Sequence, residues 1–162
     1  MTRVKVLFVC LGNICRSPLA EAIFKHKIRG NGLHNYVEAD SCGTSNYHIG
    51  DTPDERTLAN ALKNGIAIHH RGRQLSVSDL EEFDFIVAMD SSNYRNIFRL
   101  PGAEQHQHKI FLMRNFDATD NHTEVPDPYY GGERGFQEVF DILDRATDGF
   151  IARLQQQLAD RL

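Results

Sequence analysis

The chain has 162 residues, and its 41% apolar and 25% charged composition predicts one globular domain over residues 1–162 that needs no disulfides or metals to fold. The net charge of −4 argues against nucleic acid as a partner, and no apolar run reaches the roughly 20 residues of a membrane span. The odd number of cysteines, three, and the lack of a signal-peptide pattern predict a cytoplasmic protein.

The N-terminal part of the chain contains two predicted strands separated by a helix. An apolar run over residues 4–9 is typical of a buried parallel strand. Ser17 is predicted to cap the following helix, with Pro18 at its first position and Gly30 at its end. A second strand is predicted over residues 37–41.

The rest of the chain alternates again between helix and strand. Thr52 and Glu55 have the spacing of a capping box, which predicts a helix that ends at Gly65. The remaining elements are predicted as a helix over 78–83, a strand over 84–89, a helix over 91–99, a strand over 109–113, a loop over 114–132, and a closing amphipathic helix or helix pair.

This alternation predicts an α/β fold of three layers, with a four-stranded parallel sheet between two layers of helices. Ligands of such folds bind beyond the carboxyl ends of the strands, near the point where the strand order reverses. The loop over residues 10–17 follows the first strand and precedes the first helix, so it is expected at that point.

Two groups of histidines resemble metal ligands at first sight. His69 and His70 are adjacent, and His106 and His108 are separated by one residue. Neither group has the paired cysteine and histidine spacing of a zinc site. All four are predicted to be solvated surface residues, and no metal or cofactor is expected.

The loop after the first strand holds two of the three cysteines, Cys10 and Cys15, beside Arg16. A disulfide, a metal site, a redox pair and a nucleophile in an anion-binding loop all have roughly this appearance. The bare spacing of a cysteine five residues before an arginine is a weak signal.

The surroundings of that spacing favour anion binding. A loop that enters a helix points several amides at one small volume, and Gly12 and Asn13 both tolerate left-handed backbone. Arg16 adds a planar guanidinium suited to two oxygens of a tetrahedral anion. Cys10 would lie beneath this anion, where the amides and the guanidinium favour a thiolate that attacks phosphorus. Ser17 is placed to hydrogen-bond the sulfur.

A distant loop supplies a candidate acid. Phosphoryl transfer needs a proton for the leaving oxygen and a base for the attacking water. Asp127 lies between Pro126 and Pro128, which stiffen its backbone, and two tyrosines, Tyr129 and Tyr130, follow as a possible wall for a flat substrate.

The segment CLGNICRSP at residues 10–18 and the segment DPYY at residues 127–130 together resemble the low-molecular-weight protein tyrosine phosphatases. The resemblance covers essentially the whole chain. It implies a four-stranded parallel sheet and cofactor-free hydrolysis of phosphotyrosine in proteins or peptides, and of small aryl phosphates, with inorganic phosphate as product.

The resemblance also implies roles for single residues. Cys10 matches the nucleophile, Arg16 the phosphate clamp, Asp127 the general acid, and Ser17 a hydroxyl that supports the thiolate. The phosphate-binding loop implied by the resemblance consists of Leu11, Gly12, Asn13, Ile14, Cys15 and Ser17.

Further residues match supporting positions of the family. Asn13 matches an asparagine that holds the loop through a serine like Ser41. Cys15 matches a second cysteine that forms a reversible disulfide with the nucleophile under oxidation. Asp90 and Asn93 match a segment expected to buttress the acid loop, although a plain helix start explains them nearly as well.

The walls of the substrate pocket are implied at four positions, Leu11, Ile14, Tyr47 and Tyr129. The ring of Tyr47 is expected to stack on phosphotyrosine. Tyr129 and Tyr130 match tyrosines that are themselves phosphorylated in some members of the family, and both are assigned to the pocket.

Two other functions remain to be distinguished. Arsenate reduction occurs on a similar scaffold, but it uses a further cysteine pair in the middle of the chain, and residues 60–100 contain no cysteine. A module that only binds phosphotyrosine would lack the nucleophile, the clamp or the acid, and all three are present. Cys42 matches no role and is predicted to be a buried inert thiol.

Overall fold

The computed structural model describes residues 3–118, 124–130 and 132–161, without the side chains of Tyr130 and Arg161. Its centre is one sheet of four strands in the order β2-β1-β3-β4, in which every pair is parallel. The predicted four-stranded parallel sheet is therefore confirmed. The strands are β1 (Val4–Cys10), β2 (Val37–Gly43), β3 (Phe85–Ala88) and β4 (Ile110–Leu112).

Helices cover both faces of the sheet. The predicted closing helix or helix pair is one continuous helix of 30 residues. No helix among the described residues has the length and apolarity needed to cross a membrane. The helices are α1 (Arg16–Gly30), α2 (Glu55–Lys63), α3 (Val77–Glu82), α4 (Ser91–Ile97) and α5 (Gly132–Arg161).

The side chains of β1 alternate between two cores, as a strand covered on both faces requires. Phe8 packs with Phe24 of α1 and Phe150 of α5 on one face. Leu7 packs on the opposite face in the cluster that contains Leu80 of α3. The sheet is thereby fixed from both sides, and the residues that follow its strands start from a rigid edge.

The start of α1 differs from the prediction. Cys15 is the N-cap, Arg16 is the first helical residue, and Pro18 is the third rather than the first. The predicted cap, Ser17, instead shares a hydrogen bond of 3.0 Å with the sulfur of Cys10. The prediction was wrong because the serine hydroxyl has a partner outside the helix.

The start of α2 also differs, by two residues. Asp54, rather than Thr52, is the N-cap, and its carboxylate accepts a hydrogen bond of 2.8 Å from the amide of Arg56. The short helix α3 is capped by Ser76 together with Asp79, two residues before the predicted start at Ser78.

Candidate active site

The candidate site lies where the strand order reverses. β1 pairs with β2 on one side and with β3 on the other, so the loop after Cys10 leaves the sheet between two crossover connections that run in opposite directions. A cleft of about 340 Å³ opens there. It is lined by Cys10, Leu11, Gly12, Ile14, Cys15, Arg16, Tyr47, His48, Asp127 and Tyr129.

The backbone of this loop forms a cradle of amides. Asn13 has a φ of 58°, so the left-handed position falls on Asn13, although both Gly12 and Asn13 were predicted to tolerate it. Within the described residues, the amides of Gly12, Ile14 and Cys15 donate no hydrogen bond to a protein acceptor. Unpaired amides at the entry to a helix are a binding site for a tetrahedral anion.

Cys10 lies at the base of the cradle, with 3% of its surface exposed. Its sulfur shares a hydrogen bond with Ser17 and accepts another, of 3.3 Å, from the amide of Asn13. These contacts fix the position of the sulfur at the floor of the cleft.

Arg16 is 4% exposed and is held on two sides. Its Nη1 donates to a carboxylate oxygen of Asp90 at 2.7 Å and to the carbonyl oxygen of Val125 at 2.9 Å. Burial works to lower the pKa of Arg16, but Cys10 and the hydrogen bond to Asp90 outweigh it and raise the pKa. The guanidinium is therefore a fixed, permanently charged group beside the cradle.

Asp90 and Asn93 reach the site through other residues. Asp90 caps α4 by accepting a hydrogen bond of 2.7 Å from the amide of Asn93 while its other oxygen holds Arg16. With its amide oriented to satisfy its neighbours, the Asn93 side chain donates to Asp90 and accepts from the amide of Leu11. Asn93 thus contacts the loop, and Asp90 contacts the guanidinium. Among the described residues, Arg16 connects them to the acid loop because it also binds Val125.

Asn13 holds the cradle from behind, as its match to the family implies. Its side-chain nitrogen donates to Ser17 at 2.8 Å and to Ser41 at 3.1 Å. Its side-chain oxygen accepts from the amide of Arg73 at 3.1 Å and lies 2.7 Å from Nε2 of His70. Because a side-chain amide oxygen can only accept, Nε2 of His70 must be the donor.

His70 corrects the prediction of a surface histidine, because only 9% of its side chain is exposed. Burial lowers the pKa of His70, while the carboxylates of Glu21 and Asp40 act to raise it. Glu21 is itself 4% exposed and accepts a hydrogen bond of 2.6 Å from Ser41. The sequence did not indicate a role for either residue, since nothing in the order of the chain places them beside residues 10–17.

Glu21, Asp40 and His70 are also the described residues with the spacing of a metal site, with ligand atoms within 4.8 Å of one another. Their carboxylates already have cationic or hydroxyl partners, namely Lys25 and Ser41 for Glu21 and Arg73 for Asp40. We therefore interpret this group as the hydrogen-bond network that supports Asn13.

Asp127 faces the cradle from the opposite side of the cleft. Its side chain is 49% exposed, and one carboxylate oxygen lies 3.9 Å from Nη2 of Arg16. The other oxygen accepts a hydrogen bond of 3.1 Å from the amide of Tyr129. The structure thus brings Cys10, Arg16 and Asp127 to one cleft, although the first and the last are 117 positions apart in the chain.

The rim of the cleft is aromatic and apolar. Tyr47 is 74% exposed and Tyr129 is 44% exposed, whereas the side chain of Tyr130 lies outside the described part. Arg56 of α2 lies over the ring of Tyr129, 5.0 Å from its centroid, and donates to its carbonyl oxygen at 2.9 Å. This contact, which the sequence did not indicate, holds one wall of the cleft in place.

Gly43, at the carboxyl end of β2, is a second feature that the sequence did not indicate. A Cβ atom at this position would lie 2.6 Å from the carbonyl oxygen of Leu11 and 3.1 Å from the amide of Asn13. Glycine is therefore required here for the loop to pack against the strand.

Gly43→Ala is expected to displace the loop and to lower kcat/KM for p-nitrophenyl phosphate about tenfold or more, with a loss of about 1–3 kcal/mol in stability. Gly135→Ala in α5 is the matched control, because a Cβ there meets no atom of the described residues within 4 Å. The control should keep wild-type kinetics. Wild-type kinetics in Gly43→Ala would show that the close approach does not shape the cradle.

The fold and the cradle define an α/β protein with a cleft suited to a tetrahedral anion above a cysteine. The model of the family described as "Low molecular weight phosphotyrosine protein phosphatase" matches residues 5–160, so the chain belongs to this family. The predicted family and its enzyme class, protein-tyrosine-phosphatase, are thereby confirmed.

Individual relatives agree with the family model. The low molecular weight phosphotyrosine protein phosphatase of Schizosaccharomyces pombe is 47% identical over 91% of this chain and 95% of its own. The low molecular weight protein-tyrosine-phosphatase of Streptomyces coelicolor is 40% identical over 97% of both chains. The crystal structure of a protein tyrosine phosphatase from Entamoeba histolytica with Hepes in the active site is 45% identical, with a TM-score of 0.91 over 95% of this chain and 98% of that one.

Proposed function

We propose that the chain hydrolyses phosphotyrosine in proteins or peptides, and small aryl phosphates, through a phosphocysteine formed on Cys10. The observation that carries this proposal is the position of the Cys10 sulfur at the floor of an amide cradle, with Arg16 beside it and Asp127 across the cleft. The catalytic unit would be the chain as a single domain.

In the first step the phosphate dianion lies in the cradle, held by the loop amides and by Arg16. The thiolate of Cys10 attacks phosphorus on the side opposite the aryl oxygen, forming the S–P bond as the P–O bond to the aryl group breaks. Asp127 donates its proton to the departing phenolate oxygen. Negative charge on the transferring oxygens is stabilised by donors already in place.

In the second step water replaces the sulfur. Asp127, now a carboxylate, takes a proton from the attacking water, and the S–P bond breaks to release inorganic phosphate. Ser17 is placed 3.0 Å from the sulfur and stabilises the thiolate as it leaves. Every group that the two steps require belongs to the chain itself, so the proposed reaction uses no cofactor.

The rim supports an aromatic substrate. Leu11, Tyr47 and Tyr129 expose apolar surface at the mouth of the cleft, where the ring of a phosphotyrosine would lie above its phosphate. Neither nucleic acid nor a membrane takes part in the proposed reaction. A cytoplasmic location is proposed because the three cysteines are free thiols, which a reducing compartment preserves.

The substrate proposal is tested with a panel of phosphotyrosine, phosphoserine and phosphothreonine peptides and small phosphate esters, compared by kcat/KM. We expect phosphotyrosine peptides and aryl phosphates to be hydrolysed at least about tenfold better than alkyl esters. An equal or higher kcat/KM for phosphoserine peptides would contradict the assignment.

We also propose that Cys15 protects Cys10 through a reversible disulfide. Peroxide would first oxidise the Cys10 thiolate to a sulfenic acid, and the Cys15 thiolate would then attack that sulfur, forming the S–S bond as the S–O bond breaks and hydroxide leaves to be protonated by solvent. Burial raises the pKa of Cys15 to about 12, so very little of its thiolate is present at neutral pH.

The second step of this oxidation should therefore accelerate with pH. After addition of hydrogen peroxide, we expect disulfide formation to speed up about tenfold between pH 7 and pH 8, since the thiolate fraction rises about tenfold per pH unit below the pKa. Mass spectrometry of quenched, unreduced samples measures this rate, and Cys15→Ala should form no such disulfide. A pH-independent rate would show that the Cys15 thiolate does not limit the reaction.

A further inference from the structure

The position of Asp127 depends on residues other than Asp127 itself. Pro126 and Pro128 have no amide hydrogen to donate. Within the described residues, the Asp127 side chain is contacted by the amide of Tyr129 and, at 3.9 Å, by Arg16. Its half-exposed carboxylate is therefore placed by the way in which the neighbouring backbone is held.

The backbone just before Asp127 is tied to the sheet. The amide of Val125 donates to the carbonyl oxygen of Met89 at 2.8 Å, and the carbonyl oxygen of Val125 accepts from Arg16 at 2.9 Å. Val125 is 1% exposed. This residue links the acid segment both to the end of β3 and to the clamp.

One residue earlier, Glu124 makes a second connection. One of its carboxylate oxygens accepts a hydrogen bond of 3.1 Å from the amide of Ser91, and the other accepts from the hydroxyl of the same serine. Its carbonyl oxygen also accepts from Arg114 at 3.0 Å. Both carboxylate oxygens of Glu124 are thus bound to the first residue of α4.

Ser91 is the chain neighbour of Asp90, which holds Arg16. Two adjacent residues at the start of α4 therefore hold the two halves of the site. Asp90 fixes the guanidinium beside the cradle, and Ser91 fixes the segment that carries the acid.

We propose that Glu124 is a positioning residue for the proton-transfer step, and that its paired hydrogen bonds to Ser91 set the height of Asp127 above the cradle. This inference rests on the proposed function, because it assigns Glu124 to the step in which Asp127 protonates the leaving oxygen. Glu124 is not among the described residues that line the cleft, so it acts through the chain that it anchors.

Removing these hydrogen bonds should loosen the acid without unfolding the protein. Glu124 is exposed and Val125 keeps its own two bonds, so the segment stays attached. Proton transfer, in contrast, is sensitive to small displacements of the acid. The effect should therefore appear in the dependence of the rate on the leaving group.

The experiment compares Glu124→Ala and Ser91→Ala with Glu104→Ala and Ser92→Ala. The two controls replace an exposed glutamate and an exposed serine whose side chains make no hydrogen bond to any other described residue. General acid help matters most for poor leaving groups and is worth about 10²–10⁴ in total. For Glu124→Ala we expect kcat/KM to fall about tenfold with phenyl phosphate and less than about twofold with 2,4-dinitrophenyl phosphate.

Ser91→Ala keeps the amide donor and should show a smaller loss with the same preference for the poor leaving group. Glu124→Gln keeps one acceptor oxygen and should also be intermediate. In an Asp127→Ala background, which lacks the acid, Glu124→Ala should cause no further fall in kcat/KM with phenyl phosphate. The midpoint of thermal unfolding should stay near the wild-type value in every Glu124 variant.

Equal losses with both substrates would overturn the inference, as would wild-type kinetics in Glu124→Ala. A further loss in the Asp127→Ala background would also contradict it. The proposed function fails on a different result, namely a wild-type protein that does not hydrolyse phosphotyrosine or an Asp127→Ala variant without leaving-group dependence. The two failures are therefore distinguishable in one set of assays.

Discussion

Cys10→Ser is expected to lower kcat for p-nitrophenyl phosphate by more than about 10⁴-fold, because serine cannot supply the thiolate that forms the S–P bond. Phosphate should still bind with a Kd within about threefold of the wild-type value, since the loop amides and Arg16 remain. Steady-state kinetics and calorimetric titration with inorganic phosphate measure the two quantities.

Cys42→Ala is the matched control for this experiment. Cys42 is completely buried in the core on the face of the sheet that carries α3, and burial raises the pKa of its thiol well above the ordinary value. The control should lose some stability and keep kcat/KM. Substantial activity in Cys10→Ser would show that a different group attacks phosphorus.

Asp127→Ala is expected to have the second largest effect, and that effect should depend on the substrate. With phenyl phosphate, whose leaving oxygen needs a proton, kcat/KM should fall by about 10²–10³-fold. With 2,4-dinitrophenyl phosphate the loss should be less than about tenfold, because the leaving phenolate is stable without protonation. The ratio kcat/KM isolates the first step, so the second role of Asp127 as a base does not obscure the comparison.

Asp148→Ala serves as the control for this variant. Asp148 is an exposed carboxylate of α5 that pairs with Lys27, outside the cleft, and its removal should leave the kinetics unchanged. An equal loss with both substrates in Asp127→Ala would mean that Asp127 is structural rather than a proton donor.

The sequence predicted those features that local patterns determine. The apolar run before Cys10 predicted a buried strand, and the alternation of strands and helices predicted a parallel sheet with a loop at its switch point. Both predictions are confirmed. Asp127 was a candidate acid because two prolines flank it, and the resemblance to a family supported its pairing with Cys10, since no periodicity relates two loops so far apart in the chain.

Tertiary contacts decided the features that the sequence did not predict. Ser17 has the chemistry of an N-cap, but its hydroxyl is engaged by Cys10 and Asn13, so the helix begins earlier. The sequence around His70 predicts an exposed histidine, yet its side chain is nearly buried beside Asn13. In both cases the hydrogen-bond partner lies outside the element that carries the residue, so local sequence propensity does not predict the contact.

Gly43 and Glu124 illustrate the same limit. A glycine at the end of a strand is usually explained by the turn that follows, whereas Gly43 is required by the approach of a loop from another part of the chain. An exposed glutamate before a proline-rich segment looks like solvated surface, and its link to Ser91 appears only when the fold brings the segment before Asp127 to the end of β3.

The central claim, that Cys10 carries the phosphoryl group during turnover, is tested most directly by trapping that intermediate. The enzyme is mixed with p-nitrophenyl phosphate, quenched with acid within the first turnovers, digested and mapped by mass spectrometry. We predict a phosphoryl group on the peptide that contains Cys10 in Asp127→Ala, in which hydrolysis of the intermediate is slowed, and none on that peptide in Cys10→Ser. A phosphoryl group on any other residue, or turnover by Cys10→Ser at the wild-type rate, would contradict the mechanism.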